Sequence, residues 1–191
     1  MRATPTRLPD VRLLSPQVHE DARGWLAETL RVEQLLALGL PGGFAQENLT
    51  RSEQGVLRGL HYQEHPAQGK LVTVLRGAIY DVAVDLRADS PTRGRFVAQE
   101  LCEERIELLW VPPGFAHGFY VTRGPALVQY KLTAPYTPGG DRGIAWDDPD
   151  LGIPWPLRGP PLLSARDQAG RPWAQVPPWR QDPALRPDGG A

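Results

Sequence analysis

Residues 70–75 read K-L-V-T-V-L and residues 78–86 read A-I-Y-D-V-A-V-D-L, with Arg76-Gly77 between them. In the second run Tyr80, Val82, Val84 and Leu86 recur at every other position, the period of a β-strand with one buried face. The first run puts Lys70, Val72 and Val74 on a common face. Joined by a turn dipeptide, the two runs predict a β-hairpin. Working outward, further strand-like segments lie at 56–62, 96–101, 106–111, 115–122 and 126–133, each separated by a few polar, Gly or Pro residues. Such short spacings leave no room for the helices of βαβ crossovers, so the pairing is expected to be antiparallel. Twenty glycines and twenty-one prolines in 191 residues fit many turns and few long helices, the composition of a β-sandwich or barrel.

One helix is predicted at 30–38, where Val32, Leu35 and Leu36 share a face, Thr29 can cap the start and Gly39 the end. A second, shorter helix is expected after Ser164. The predicted organisation is one domain over 1–176, with a central barrel at about 45–135 and the N-terminal segment packed on it. The tail at 177–191 is proline-rich, has little to bury and is expected to be disordered.

The 41% apolar and 23% charged content excludes global disorder. Twenty-one basic against twenty-two acidic residues leave a net charge of -1, so no field of one sign recruits nucleic acid or an anionic membrane, and neither is expected as a partner. Any anion must be held by local arginines. Cys102 is the one cysteine, which excludes an intramolecular disulfide and any cysteine-built zinc or iron–sulfur site. With no apolar run of signal-peptide or membrane-span length, a soluble cytoplasmic protein is expected.

Polar residues concentrate in G-V-L-R-G-L-H-Y-Q (55–63) and Q-G-K-L-V (68–72). Strand periodicity puts His61 on the face of Leu57 and Gly59, and Lys70 on the face of two valines. If these faces line a barrel, His61 and Lys70 point into one cavity, with Gly59 leaving room for a ligand. The plainer alternative is a core histidine and a snorkelling lysine. Tyr130, in Q-Y-K-L-T-A-P-Y (129–136), shares a face with Val128 and Leu132, so its hydroxyl needs an interior partner or a task. In L-L-S-A-R-D (162–167), Ser164 and Asp167 have capping-box-like spacing, and helix capping alone would explain Asp167.

The segment V-P-P-G-F-A-H-G-F (111–119) contains P-x-G-x-x-H, which resembles the second motif of the cupin β-barrels. The metal-binding members of that superfamily also have G-x5-H-x-H-x(3 or 4)-E. Gly55 and His61 fit its start, but Gln63 and Gln68 stand where a histidine and a glutamate should be. Amide oxygens are weak ligands for divalent transition metals, and no metal or other cofactor is expected.

Together with D-A-R-G-W-L-A-E (21–28), Q-E-N (46–48), D-V-A-V-D-L-R (81–87), S-P-T (90–92) and Y-K-L-T (130–133), these segments closely resemble the dTDP-4-dehydrorhamnose 3,5-epimerases. The resemblance runs in order from about residue 10 to 170. It implies a mainly β, cupin-like antiparallel jelly-roll barrel with a few short peripheral helices, assembled as a homodimer without metal. The implied activity inverts C3 and C5 of a dTDP-4-keto-6-deoxy sugar. On that resemblance His61 is the base, Asp167 its partner, Tyr130 the acid on the opposite face and Lys70 the group facing the enolate oxygen. Arg23 and Arg58 correspond to diphosphate-binding positions, and Glu28, Gln46, Glu47 and Asn48 to residues near the nucleotide. His117 corresponds to a sugar or phosphate contact and Tyr136 to the aromatic that stacks on thymine. Three matches depart from the family's usual residues: Asp141 replaces Glu, Arg166 replaces Lys and Trp25 replaces Phe. The competing readings are a C3-only epimerase of the same family, a non-catalytic sugar-nucleotide-binding cupin and a metal-dependent cupin.

Overall fold

The computed structural model describes residues 1–180. In chain order its elements are β1 (Arg2–Pro5), β2 (Arg12–Ser15), β3 (Val18–Asp21), β4 (Gly24–Ala27), α1 (Val32–Ala37), β5 (Gln46–Ser52) and β6 (Leu57–Gln63). They continue with β7 (Lys70–Asp85), β8 (Phe96–Cys102), β9 (Leu108–Val111), β10 (Phe115–Leu132), β11 (Asp141–Gly143) and α2 (Ala165–Gln168).

β7 and β10 pair antiparallel over their whole lengths, from Lys70↔Leu132 to Phe115↔Asp85, and are long enough to serve two sheets. The start of β7 also pairs with β9, and the end of β10 with β5. With β2 on β9 and β1 on β2, this gives a first sheet in the order β1-β2-β9-β7-β10-β5. The other halves of the long strands form the second sheet, β8-β7-β10-β6-β11. Every strand pairing is antiparallel, and the result is the mainly β, cupin-like barrel the motifs imply. Val72, Val74, Ile79, Leu109, Phe119 and Val128 belong to the core between the two sheets.

The predicted hairpin at 70–86 does not form. Its two halves are one strand that bends at Gly77, where φ is +79°, a conformation that favours glycine. A Cβ at this position would lie 2.5 Å from the Arg123 carbonyl oxygen, so the bend also depends on the close approach of β10. The segments expected at 115–122 and 126–133 likewise fuse into β10, with register shifts around Arg123 and Leu127. A bend between two sheets and a hairpin turn carry the same local signal. Long-range pairing distinguishes them.

The outer face of the second sheet, with Val82, Val84 and Leu86, is covered by Ile144, Leu151, Val176 and three partly buried tryptophans, Trp155, Trp173 and Trp179. Trp179 donates its N–H to the Leu86 carbonyl at 2.8 Å and accepts from the Ala88 N–H at 2.8 Å. The tail expected to be disordered from Pro177 is therefore tied down as far as Arg180, and 181–191 lie outside the described residues. On the first sheet, α1 contributes Leu35 to a cluster with Leu14, Leu71, Leu108 and Trp110. Its N-cap is Arg31, without a side-chain hydrogen bond, and not the predicted Thr29. Its end is as predicted: Gly39 has φ +67°, Gly39 N–H bonds to Leu36 O and Leu40 N–H to Leu35 O, a Schellman closure. Val32 and Leu36 remain 41% and 58% exposed, because a helix of fewer than two turns gives the sheet one side chain and not a stripe.

Candidate active site

Between the two sheets lies a cavity of about 230 Å³, lined by Arg58 and His61 from β6, Lys70 from β7, and His117, Gly118, Phe119 and Tyr130 from β10, with Ser164, Arg166 and Asp167 at its rim. Lys70 and Tyr130 come from parts of β7 and β10 that belong to the first sheet, whereas His61 and His117 face each other in the register of the second. Four chemically capable side chains from sequence-distant strands thus converge.

Asp167 explains how His61 is held. Its Oδ1 is 2.8 Å from His61 Nε2, within ion-pair reach but oblique to the ring's hydrogen-bonding direction. The carboxylate also accepts the Gly59 N–H at 3.1 Å and the Ser164 hydroxyl at 2.6 Å. Ser164 in turn caps α2 by accepting the Asp167 N–H. Helix capping and the histidine contact are therefore one arrangement: the cap aims the carboxylate. Burial by itself would raise the Asp167 pKa, but the His61 ring, the Ser164 hydroxyl and the Gly59 N–H together outweigh it and hold the group well below the usual carboxylate range. His61 is shifted down, chiefly by burial and further by the Arg166 and Lys70 charges, against the upward pull of Asp167. At neutral pH it is an unprotonated imidazole. The Asp167 carboxylate beside Nε2 favours the proton there, which leaves Nδ1 as the basic nitrogen.

Lys70 is 8% exposed and donates from Nζ to the His61 carbonyl at 3.1 Å. Burial pulls its pKa to about 8, partly offset by Asp141 and Asp81. It remains mostly cationic at pH 7 and close to its titration point. His117, predicted as a contact residue, has its Nε2 2.9 Å from both oxygens of Asp81, and Asp81 is fully buried. Sequence reasoning passed over Asp81. The signal was present, since strand alternation puts it in phase with Ile79 and Ala83, on the interior face.

Gly59 does not open space for a ligand as expected. A Cβ on it would meet Gly118 Cα at 2.5 Å, so the missing side chain admits the neighbouring strand. Gln63 and Gln68, at the positions where metal-binding cupins have ligands, are turned to the backbone. Gln63 donates to the Pro66 and Pro135 carbonyls at 2.6 and 3.0 Å and accepts the Thr137 N–H at 2.8 Å. Gln68 donates to the Ala134 carbonyl at 2.8 Å. These amides hold the 133–137 loop. Among the described residues no three His, Cys, Asp or Glu side chains converge as a ligand set, and the donors present do not fit a metal.

The remaining predicted residues divide into two groups. Asp141 is ion-paired to Arg166 at 2.5 Å and accepts the Tyr136 hydroxyl at 3.2 Å. Gln46 accepts the Tyr136 N–H at 2.7 Å and donates to Asn48 at 2.9 Å. These five residues form a chain that meets the cavity at Arg166. Glu47 lies next to it, bonded to Gln129 and Lys131. Arg23 and Glu28 stay apart. The Arg23 side chain is 89% exposed and, among the described residues, pairs only with Asp21, on the separate β3–β4 hairpin, while Glu28 pairs with Arg31 and Gln34. Within one chain the structure does not bring Arg23 to the cavity.

A family profile described as dTDP-4-dehydrorhamnose 3,5-epimerase matches residues 5–175. The dTDP-4-dehydrorhamnose 3,5-epimerase of Pseudomonas aeruginosa is 47% identical over 92% of this chain and 98% of its own length. That of Neisseria gonorrhoeae is 49% identical over 90% of this chain, which spans about half (52%) of that relative's length. Among solved structures, the Legionella pneumophila dTDP-6-deoxy-D-glucose-3,5-epimerase in complex with dTDP-4-keto-L-rhamnose superposes with a TM-score of 0.89 at 40% identity, covering 95% of this chain and 99% of that one. Agreement of profile, identity and barrel over nearly the whole length leaves one assignment: the chain belongs to the dTDP-4-dehydrorhamnose 3,5-epimerase family.

Proposed function

We propose that the protein is an isomerase that inverts C3 and C5 of dTDP-4-keto-6-deoxy-D-glucose, giving dTDP-4-keto-L-rhamnose. The observation that carries this reading is the pairing of a neutral, carboxylate-held His61 on one sheet with Tyr130 on the other, across a cavity that also contains buried Lys70. A hydrogen on a carbon beside a ketone is acidic because its removal spreads charge onto the carbonyl oxygen. His61 takes that proton, the C–H electron pair moves into the enolate, and Asp167 stabilises the imidazolium. The Lys70 ammonium, itself 8% exposed, faces the oxygen where negative charge develops, and burial strengthens such a contact. Tyr130 returns a proton to the carbon from the other face, inverting it. Before the second carbon reacts, the His61 imidazolium gives its proton to water and the Tyr130 phenolate takes one from it, so atoms and charge balance over each inversion without a redox cofactor.

The diphosphate is assigned to Arg58 and Arg166 at the cavity mouth, since forked guanidinium groups match phosphate oxygens. Arg23 requires a second copy of the chain. The hairpin that carries it leaves Trp25 and Leu26 62% and 65% exposed, and two strands alone are marginally stable in water. A homodimer in which this hairpin packs on the partner would cover both side chains and bring Arg23 and Trp25 toward the partner's nucleotide site. Among the described residues no helix is long and apolar enough to cross a membrane, and the cytoplasm is the proposed place of action.

Proton NMR with dTDP-4-keto-6-deoxyglucose in deuterated water tests the reaction. The expected result is deuterium at C3 and C5 with an L-configured product. Exchange and inversion confined to C3 would replace this reading with the mono-epimerase, and binding without exchange would leave a sugar-nucleotide-binding protein.

A further inference from the structure

Asp141 and Arg166 are the two charged positions at which this chain departs from the residues its resemblance leads one to expect, glutamate and lysine. The structure places them against each other, Arg166 from α2 on Asp141 of β11, at 2.5 Å. Aspartate brings its carboxylate one bond less far from the backbone than glutamate, and arginine carries its outer nitrogen one bond further than lysine. The reach of the pair is therefore conserved, with length moved from one element to the other. The same Asp141 oxygen, Oδ2, also accepts the Tyr136 hydroxyl at 3.2 Å, and the Tyr136 N–H is held by Gln46 at 2.7 Å. Tyr136 itself is 50% exposed. An aromatic side chain so open to solvent has little packing to fix it, so its two polar contacts set its pose.

We propose that Asp141 and Arg166 act as one length-compensated latch, a positioning pair that fixes Tyr136 for stacking on the nucleotide base, and that neither residue can be changed in length without the other. This rests on the sugar-nucleotide reading above. Arg166 spends one end of its guanidinium on Asp141 while lining the cavity, and its other donors stay available for the diphosphate. The pair thereby joins base recognition on one side to phosphate recognition on the other.

The test is a double-mutant cycle of Asp141→Glu, Arg166→Lys and the two combined, with dTDP affinity read by calorimetry and turnover measured on dTDP-4-keto-6-deoxyglucose. Each single variant keeps the charges and misfits the length. Each is expected to weaken dTDP binding and raise KM by about 5-fold with kcat changed less than about 2-fold, the upper range for a partly exposed ion pair. The combined variant should recover to within about 2-fold of wild type, because the reach is restored. Losses that multiply in the double variant, or single variants that bind dTDP like wild type, would overturn the latch. A merely structural role is tested by the thermal midpoint, which would then follow the affinity; it is expected to stay constant across the cycle. If wild type itself fails to bind dTDP, the sugar-nucleotide reading falls, and that outcome is distinct from additivity in a wild type that binds.

Discussion

The cavity and the β3–β4 hairpin are built on opposite terms. His61, Lys70 and Tyr130 project from strands whose backbones pair on both sides, and Asp167 accepts the Gly59 N–H and the Ser164 hydroxyl as well as contacting His61. On the hairpin, every residue of β3 and all but the last of β4 are exposed, and among the described residues no third strand joins them. On the function proposed above, the difference separates two tasks. Proton transfer between carbon and imidazole needs positions fixed to fractions of an ångström, which a barrel interior supplies. Holding a diphosphate and a base needs reach, which exposed arginines and aromatic side chains supply, with the final ordering deferred until ligand or partner arrives.

The largest effect expected from this contrast is in the barrel. His61→Ala should lower kcat by on the order of 10²- to 10⁴-fold, the usual contribution of a general base, while dTDP affinity by calorimetry stays near wild type. A parallel loss of affinity would mean that His61 holds the nucleotide and is not the base.

Lys70 comes next. Replacement by Met should cost about 10²- to 10³-fold in kcat, the scale of a lost oxyanion contact, yet stabilise the fold below pH 8. The sign follows from linkage. Lys70 titrates near 8 in the folded protein against 10.5 when solvated, so between these values the unfolded chain binds more protons and stability rises with pH. Below pH 8 the charged buried amine is a standing cost on the order of 3 kcal/mol, and Met removes it. The same titration predicts the alkaline limb of kcat/KM near pH 8. The acid limb should fall below pH 6.5, because burial lowers His61 and the base must be neutral to act. Thermal unfolding from pH 6 to 10 and the pH–rate profile check both statements. A wild-type profile flat from pH 7 to 9.5 would remove Lys70 from the chemistry.

The two regions also differ in how far their sequences revealed them. Lys70 in phase with Val72 and Val74, and Tyr130 in phase with Val128 and Leu132, were legible because a buried face imposes a period of two. The hairpin strands were not, since V-H-E-D and G-W-L-A have no buried face to impose any period. At Arg76-Gly77 the sequence suggested a turn and the fold made a bend, because the partner strand that settles the matter lies nearly fifty residues away. Asp141, Tyr136 and Arg166 could each be nominated by resemblance, but their joining across three segments is a tertiary fact.

Gln63 lies between the two regimes, buried in the barrel but serving the loop that carries Tyr136. Gln63→Ala removes three hydrogen bonds to backbone, two of them to that loop, at Pro135 and Thr137, and one to Pro66. It should lower stability by about 2–3 kcal/mol in denaturant unfolding, given the cost of unsatisfied buried carbonyl and N–H groups, and raise KM with it. A stability change under about 0.5 kcal/mol would mean that water or the neighbouring turn replaces those bonds.

The smallest expected effect tests the hairpin. Trp25→Ala should leave the unfolding midpoint of the dissociated chain unchanged, because the side chain is 62% exposed and surface changes seldom exceed about 0.5 kcal/mol. In the assembled protein the same substitution should weaken self-association by about 10-fold, measured by sedimentation, since a tryptophan anchor that becomes buried at an interface typically costs more than about 1 kcal/mol when truncated. Affinity for dTDP should fall with it, and mixing the variant with an Arg23→Ala chain should produce no nucleotide site better than either parent, because each partner then brings a defective hairpin. Undiminished association would show that the hairpin is covered by something other than a second copy. The nucleotide site would then have to be complete within one chain, and Arg23 would have no part in it.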